Sequence, residues 1–539
     1  MKRIYLVLIA TIAITFVSCS DQEIDTVKPD AGQVAPIIDL PEGATQGRIL
    51  VKFKPEAASF LDAATTRSVG AALTRSGISD MDAVLQRIGT SKLERIFPVD
   101  NRTEERTRKA GLNLWYIIHF DKDTDLEQVA KDLSQVADVA KVQFTRAIQR
   151  SYDPNVRATV LTKQAMTRVV HTTRAVNTDA NDPFFNLQWG CKNDGSILQN
   201  GEKNDKGDNV VPAVMGVDVN CGEAWKLCTG NPSIVVAVLD EGVMYDHPDL
   251  EGNIWVNEDE TFASKEDADG NGYAGDRYGY NFTDDKGYIS YDDPNDTGHG
   301  THVAGIISAV RNNGEGISGI AGGDKANNRG GVKIMSCQVF SGSKGCDLYQ
   351  EAKAVKYAAD NGAVILQCSW GYNSGLSNPI SGYTPGFTSD KDWVDAAPLE
   401  KEAFDYFLHN AGSPNDVIDG GIIVFAAGNE YAAMAGYPGA YPDYISVAAL
   451  AADGTPSCYS NYAMGVSIAA PGGDSDYHQS SKGKIYSTLP PSANEDGGEN
   501  SHYGYMEGTS QACPHISGVA ALGLSYAAEL HRHFRADEF

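Results

Sequence analysis

The stretch Ile234-Val-Val-Ala-Val-Leu-Asp240-Glu-Gly242 sets the reading of this 539-residue chain. Six consecutive apolar residues, most of them β-branched, end in a carboxylate and a glycine. A strand with one wet face alternates apolar and polar side chains. A strand without alternation is covered on both faces, as in a parallel sheet flanked by helices. Three later runs, 332–340, 363–368 and 422–427, read the same way, and helical patterns cover 300–311, 347–361, 396–411 and 511–530. The expected fold is α/β, a doubly wound, mostly parallel sheet with functional side chains at the C-terminal ends of its strands.

Asp240 stands at such a strand end. Two further segments carry reactive groups between glycines: Gly298-His299-Gly300-Thr-His-Val-Ala-Gly and Gly508-Thr-Ser510-Gln-Ala-Cys-Pro-His. An acid, an imidazole and a hydroxyl are the parts of an activated serine. The hydroxyl is too weakly acidic to attack an amide, so it needs a base, and the base needs a carboxylate to fix its tautomer. Gly298 and Gly300 allow close backbone approach beside His299. Ser510 opens a helix whose positive end favours a developing oxyanion, and Pro514 is expected in its tolerant first turn. His299 and His302 lack the third ligand and the spacing of a zinc site.

Taken together and in this order, the three motifs resemble those of the subtilisin-like serine peptidases, or subtilases, from residue 181 onward. Asn181-Asp-Pro-Phe-Phe-Asn-Leu-Gln-Trp189 is similar to the start of many mature subtilases. The resemblance implies catalytic roles for Asp240, His299 and Ser510. It implies that Asn429, in Ala-Ala-Gly-Asn429-Glu, donates to the oxyanion. It also implies that Ser369-Trp370-Gly371 pairs with the substrate backbone, with the Gly- and aromatic-rich insertion 372–394 close by. Glu241 departs from the family's Thr or Ser and, by strand alternation, is expected to point away from the triad. Gln511 replaces the usual methionine. The short C-terminal end, with few residues after Ser510, implies a truncated family core.

Asp267-Ala-Asp269-Gly-Asn271-Gly-Tyr273, with Asp276 beyond, offers alternating oxygen ligands suited to a hard cation. A structural calcium at Asp267, Asp269, Asn271 and Asp276 is the expectation, with no organic cofactor.

Upstream, Lys2 and Arg3 precede an apolar run from Ile4 to Val17, too short to span a bilayer and fitting a signal peptide. Phe16-Val-Ser-Cys19 resembles a relaxed lipobox, which implies lipidation at Cys19 (1–19 signal) and an outer-membrane or cell-surface lipoprotein. Residues 20–46 read as a tether. In 47–150, strands are expected at 48–54, 114–120 and 139–145, and helices at 80–89 and 125–136. This small α+β unit resembles the inhibitory prodomain of subtilases, which implies that it acts as an intramolecular inhibitor. Residues 151–180, with Arg157, Arg168 and Arg174, read as an exposed, cleavable linker, and 181–539 as the catalytic domain. Cleavage in that linker would part the catalytic domain from the lipid anchor and release it.

Residues 20–180 hold 22 Lys+Arg and 22 Asp+Glu, whereas 181–539 hold 20 against 49. So acidic a surface excludes nucleic acid and anionic lipid as natural partners; protein or peptide substrates are expected, with membrane contact only through the anchor. The eight cysteines after Cys19 permit disulfides, although Cys368 and Cys513 sit where the family has small core residues. The functional expectation is a secreted or surface serine endopeptidase made as a zymogen. The competing readings are a catalytically silent peptide-binding module and an esterase, which lacks support because no Gly-x-Ser-x-Gly elbow surrounds Ser510.

Overall fold

The computed structural model describes residues 34–39, 42–67, 72–150, 152–161, 179–204, 206–412, 417–493 and 502–539. The candidate signal and Cys19 lie outside them, as do Arg168 and Arg174.

The stretch that opened the reading is strand β6 (Val235–Glu241), buried at every position. Val235, Ala237 and Leu239 enter one core cluster, and Val236 and Val238 enter another, one on each side of the sheet. That is why the run does not alternate. Around it lie β7 (Gly279–Asn281), β8 (Lys333–Ser341), β9 (Lys344–Gly345), β10 (Ile365–Cys368), β11 (Ile422–Ala426), β12 (Ile445–Leu450) and β13 (Ile468–Pro471). Their order is β9-β8-β6-β10-β11-β12-β13, with β7 also paired to β8. All pairings are parallel except the β8–β9 hairpin. The doubly wound, mostly parallel sheet is therefore as expected, and β12, β13 and β7 are strands the apolar runs had not marked.

The N-terminal module carries five strands: β1 (Ile37–Ile38), β2 (Arg48–Phe53), β3 (Lys92–Arg95), β4 (Trp115–His119) and β5 (Val139–Gln143), in the order β1-β5-β2-β4-β3. Its helices are α1 (Ala58–Arg67), α2 (Ser79–Arg87), α3 (Glu104–Lys109) and α4 (Leu126–Ser134). The reading of 20–46 as tether needs correction: Ile37 and Ile38 pair in parallel with Val142 and Gln143. So short an edge strand has no periodicity to reveal it.

Period-2 alternation in β2 and β4 has a direct use. Ile49, Val51, Phe53, Tyr116 and Ile118 face the module's own helices, while Leu50, Trp115 and Ile117 join the core of the large sheet. On that large-sheet face lie α6 (Leu348–Asp360) and α7 (Pro398–Asn410). On the opposite face lie α5 (His299–Ser308) and α8 (Thr509–Glu529). Ion pairs staple the module down: Arg48–Asp347 at 2.9 Å, Lys52–Glu402 at 2.7 Å and Arg106–Asp360 at 2.9 Å. The eight cysteines of 181–539 are all free thiols, seven of them buried. No helix among the described residues is long and apolar enough to cross a membrane.

Candidate active site

Asp240 ends β6 and His299 begins α5, and the two elements touch. A Cβ on Gly300 would stand 2.2 Å from the Glu241 carbonyl, and Gly298 holds φ at 77°, so both glycines are required by the approach. His299 Nδ1 lies 2.8 and 2.9 Å from the two Asp240 carboxylate oxygens. An ionised carboxylate only accepts, so Nδ1 carries the proton and Nε2 is left as the basic nitrogen. His299 Nε2 is buried without a hydrogen-bond partner.

Ser510 lies in the first turn of α8. Its Oγ donates to the Ser369 carbonyl at 3.1 Å. Ser369 Oγ in turn donates to the Ser510 carbonyl at 2.8 Å. Pro514 explains the second bond. It stands deeper in the helix than the first turn in which it was expected, and it has no N–H for the carbonyl of Ser510, four residues back. Asn429 follows β11, and its Oδ1 accepts from the Thr509 N–H and hydroxyl, each at 2.9 Å. The amide oxygen is thereby engaged, and Nδ2 is the end that can donate.

Of the segment Ser369-Trp370-Gly371, only Ser369 bonds to the nucleophile. Trp370 is buried and packs edge-on against Phe425 at 5.6 Å, so its side chain belongs to the core. Gly371 sits 3.0 Å (by its missing Cβ) from the Tyr437 carbonyl. Ser381, Gly382 and Tyr383 of the insertion line a cleft of about 690 Å³ together with His299, Asn429 and Glu430.

The 151–180 segment is not wholly the exposed linker its composition implied. Ile148 N–H donates to the Cys346 carbonyl at 2.8 Å, and the Arg146 carbonyl accepts from Leu348 N–H at 2.9 Å, so the tail enters through an isolated antiparallel bridge. It then passes over the site: the Tyr152 ring stacks on the His299 imidazole, centroids 3.9 Å apart and planes 14° apart. It leaves by pairing Thr159 with Tyr505, through bonds of 3.0 and 2.8 Å. Strand-like pairing is how a sheet edge binds an extended peptide. Nothing in the sequence marks Tyr152, because its partner lies far along the chain.

Glu241, expected to point away, is not clear of the Asp240–His299 pair. Its carboxylate accepts from the backbone N–H of His299 at 3.1 Å and of Thr297 at 2.9 Å, and from the Tyr152 hydroxyl at 3.0 Å. Around the site, burial keeps other imidazoles neutral. His302 is lowered to about 3 by burial and then by His299, and its Nε2 faces the carbonyls of Ile485 and Gly504.

In the acidic loop, carboxylate oxygens of Asp267, Asp269 and Glu260 lie within 4.8 Å of one another. Glu260 was not among the expected ligands, since it comes from outside the Asp/Gly-rich stretch. Asp276 is set apart: it accepts from Asn257 and Asn271 side-chain amides at 2.9 and 3.0 Å and from Tyr357 at 2.8 Å. Burial raises it to about 6. Asn271 Oδ1 is engaged by Tyr273 N–H at 2.7 Å. Three converging carboxylates fit a hard cation, with Glu260 in place of Asp276.

The family model of the subtilases matches residues 231–534, and that of the subtilase N-terminal region matches 49–195. Halolysin of Haloferax mediterranei is 30% identical over 323 residues, covering 59% of this chain and 47% of halolysin. Thermitase of Thermoactinomyces vulgaris is 29% identical, covering 56% of this chain and 79% of thermitase. Among solved structures, fervidolysin from Fervidobacterium pennivorans, described as a keratinolytic enzyme related to subtilisin, superposes with a TM-score of 0.51 at 23% identity. That superposition covers 91% of this chain and 56% of fervidolysin. The chain spans about half the length of the first curated relatives it matches. With a family model over more than half of its length and a second over the N-terminal module, the chain belongs to the subtilase family.

Proposed function

We propose that this chain is a serine endopeptidase captured as its zymogen. The observation that carries the reading is the His299–Asp240 pair beneath a segment of the chain's own tail, with Ser510 and Asn429 at the neighbouring element ends. In the active form, His299 Nε2 takes the Ser510 proton as Oγ attacks the scissile carbonyl, and Asp240 stabilises the imidazolium. The Asn429 amide and the Ser510 N–H hold the oxyanion, and water releases the acyl-enzyme. In the state described, Ser510 Oγ is committed to Ser369 and His299 is covered by Tyr152, so the nucleophile is not engaged with its base. A silent binding module would have no need of the Asp240 contact to His299.

Activation then requires the tail to leave, by cleavage within 151–180. Glu260, Asp267 and Asp269 would hold a calcium ion, whose contribution is to neutralise the three carboxylates and stiffen the loop. The N-terminal signal and Cys19 support export as a surface lipoprotein, with the catalytic domain released on cleavage. Peptide hydrolysis by purified, processed protein tests the assignment. Ser510→Ala is expected to abolish it. Asn429→Ala is expected to lower kcat by about 10²–10³, the size known for an oxyanion donor in subtilisin. Full activity in Ser510→Ala would reject the reading.

A further inference from the structure

Arg150, two residues before the tyrosine that covers His299, is almost enclosed, its side chain 8% exposed. Its Nε lies 3.5 Å from Glu241 and donates to the Tyr152 hydroxyl at 3.1 Å. One terminal nitrogen donates to the Gly342 carbonyl at 2.7 Å and lies 3.9 Å from Asp296. The guanidinium stands 4.9 Å from the centre of the Phe340 ring. Every face of the group is met by something that recognises a planar cation: carboxylates, a carbonyl and an aromatic face.

The two acids belong to the catalytic domain, and they stay when the tail goes. Glu241 is 1% and Asp296 2% exposed, and Asp296 Oδ2 has no hydrogen-bond partner. Among the described residues, Arg150 is the cation that pairs with both. Burial, and then the Glu241 charge, push Asp296 up to about 8, as expected of a carboxyl short of counter-charge. Arg157 repeats the theme nearby, donating to the carbonyls of Pro294 (at 2.7 Å) and Asp296. When Arg150 leaves, buried Glu241 loses its cation and Asp296 loses the neighbour that favours its ionised form, so the vacated pocket favours a new guanidinium.

We propose that Glu241, Asp296, the Gly342 carbonyl and the Phe340 ring form a guanidinium subsite of the cleft, which selects arginine in peptide substrates. The selected arginine lies two residues before the residue that rests on His299. The proposal rests on the endopeptidase reading, and Arg150 is the tail's imitation of that substrate side chain. Lysine is a poor substitute, since one ammonium cannot reach the Gly342 carbonyl and both carboxylates at fixed separate angles.

Two measurements test it, one of which needs no catalysis. In the full-length Ser510→Ala protein, Arg150→Gln empties the pocket and lowers the melting temperature. Millimolar ethylguanidinium restores part of the loss, whereas ethylammonium and sodium chloride at equal ionic strength do not. Adding Asp296→Asn removes the response. In the processed wild-type enzyme, a fluorogenic peptide with arginine at this position is cleaved with at least tenfold higher kcat/KM than its norleucine counterpart, and Asp296→Asn erases the ratio. Absence of guanidinium rescue, or equal cleavage of the two peptides, overturns the subsite. If neither peptide is cleaved while rescue is seen, the endopeptidase reading falls and the guanidinium pocket stands.

Discussion

Ser510 owes its surroundings to a residue that cannot hydrogen-bond. Pro514 leaves the Ser510 carbonyl without its helical donor, Ser369 Oγ replaces it, and the Ser510 hydroxyl returns the contact. Ser369→Ala is expected to leave that buried carbonyl unpaired and cost about 1–3 kcal/mol, measurable by urea denaturation. An unchanged midpoint would show that the carbonyl finds another partner. Tyr152 acts on the neighbouring imidazole by contact alone. Its ring covers His299 while its hydroxyl is tied to Glu241 and Arg150. Tyr152→Ala in the full-length chain is expected to raise the rate of serine-directed labelling on the order of tenfold, the weight of one aromatic contact of about 1.4 kcal/mol. No change in rate would mean that occlusion comes from the rest of the tail.

Elements were legible where they are long and their surroundings simple. β6 announces itself because helices cover both of its faces, and α5 to α8 fall within a few residues of their expected positions. The candidate catalytic residues drew notice because Asp240 ends an apolar run and His299 and Ser510 stand in glycine-bounded motifs. Most of what escaped has partners distant in sequence. The edge strand β1 exists only through β5 and Tyr152 meets His299 from far along the chain, whereas Glu260 escaped because it lies outside the Asp/Gly-rich stretch. The contact between α6 and α7 is a further case. Glu351 and Glu400 are both fully buried there, with Glu400 accepting from Trp393 Nε1 at 2.6 Å and from Tyr372 at 3.3 Å. Burial, then the Glu400 charge, push Glu351 well above its ordinary range, and burial brings Glu400 to about 7. A carboxyl raised on folding binds its proton more tightly in the native state. Its stability is therefore full below the unfolded value near 4.5 and is lost as pH rises through 7. Glu351→Gln, which keeps the shape and removes the charge, is expected to flatten the decline in denaturation midpoint between about pH 4.5 and 7. An unaltered slope would contradict the pairing.

At the scale of the whole molecule, the uneven charge of the sequence becomes an interface. Residues 20–180 are neutral overall, yet the N-terminal module within them turns Arg48, Lys52, Arg106 and Lys141 toward Asp347, Asp360 and Glu402 of the acidic domain. Glu402 gathers Lys52, Lys141 and the Trp115 indole N–H, the last at 2.7 Å. Glu402→Gln is expected to speed dissociation of the cleaved module about tenfold or more, as loss of a part-buried charged contact implies, and the wild-type rate is expected to rise with salt. Salt-independent release would point instead to the apolar contacts of Leu50, Trp115 and Ile117. In the proposed reading the N-terminal module, its tail and Asp240, His299 and Ser510 form one arrangement, in which the serine becomes reactive only when the tail has been cut and lifted. Intact-mass analysis with a fluorophosphonate probe tests this most directly, before and after cleavage within 151–180, with Ser510→Ala alongside. The account predicts slow labelling of the uncut chain, one probe mass on the released catalytic domain, and none on Ser510→Ala. A folded, cleaved wild type that takes no label, or a label that persists in Ser510→Ala, would contradict it.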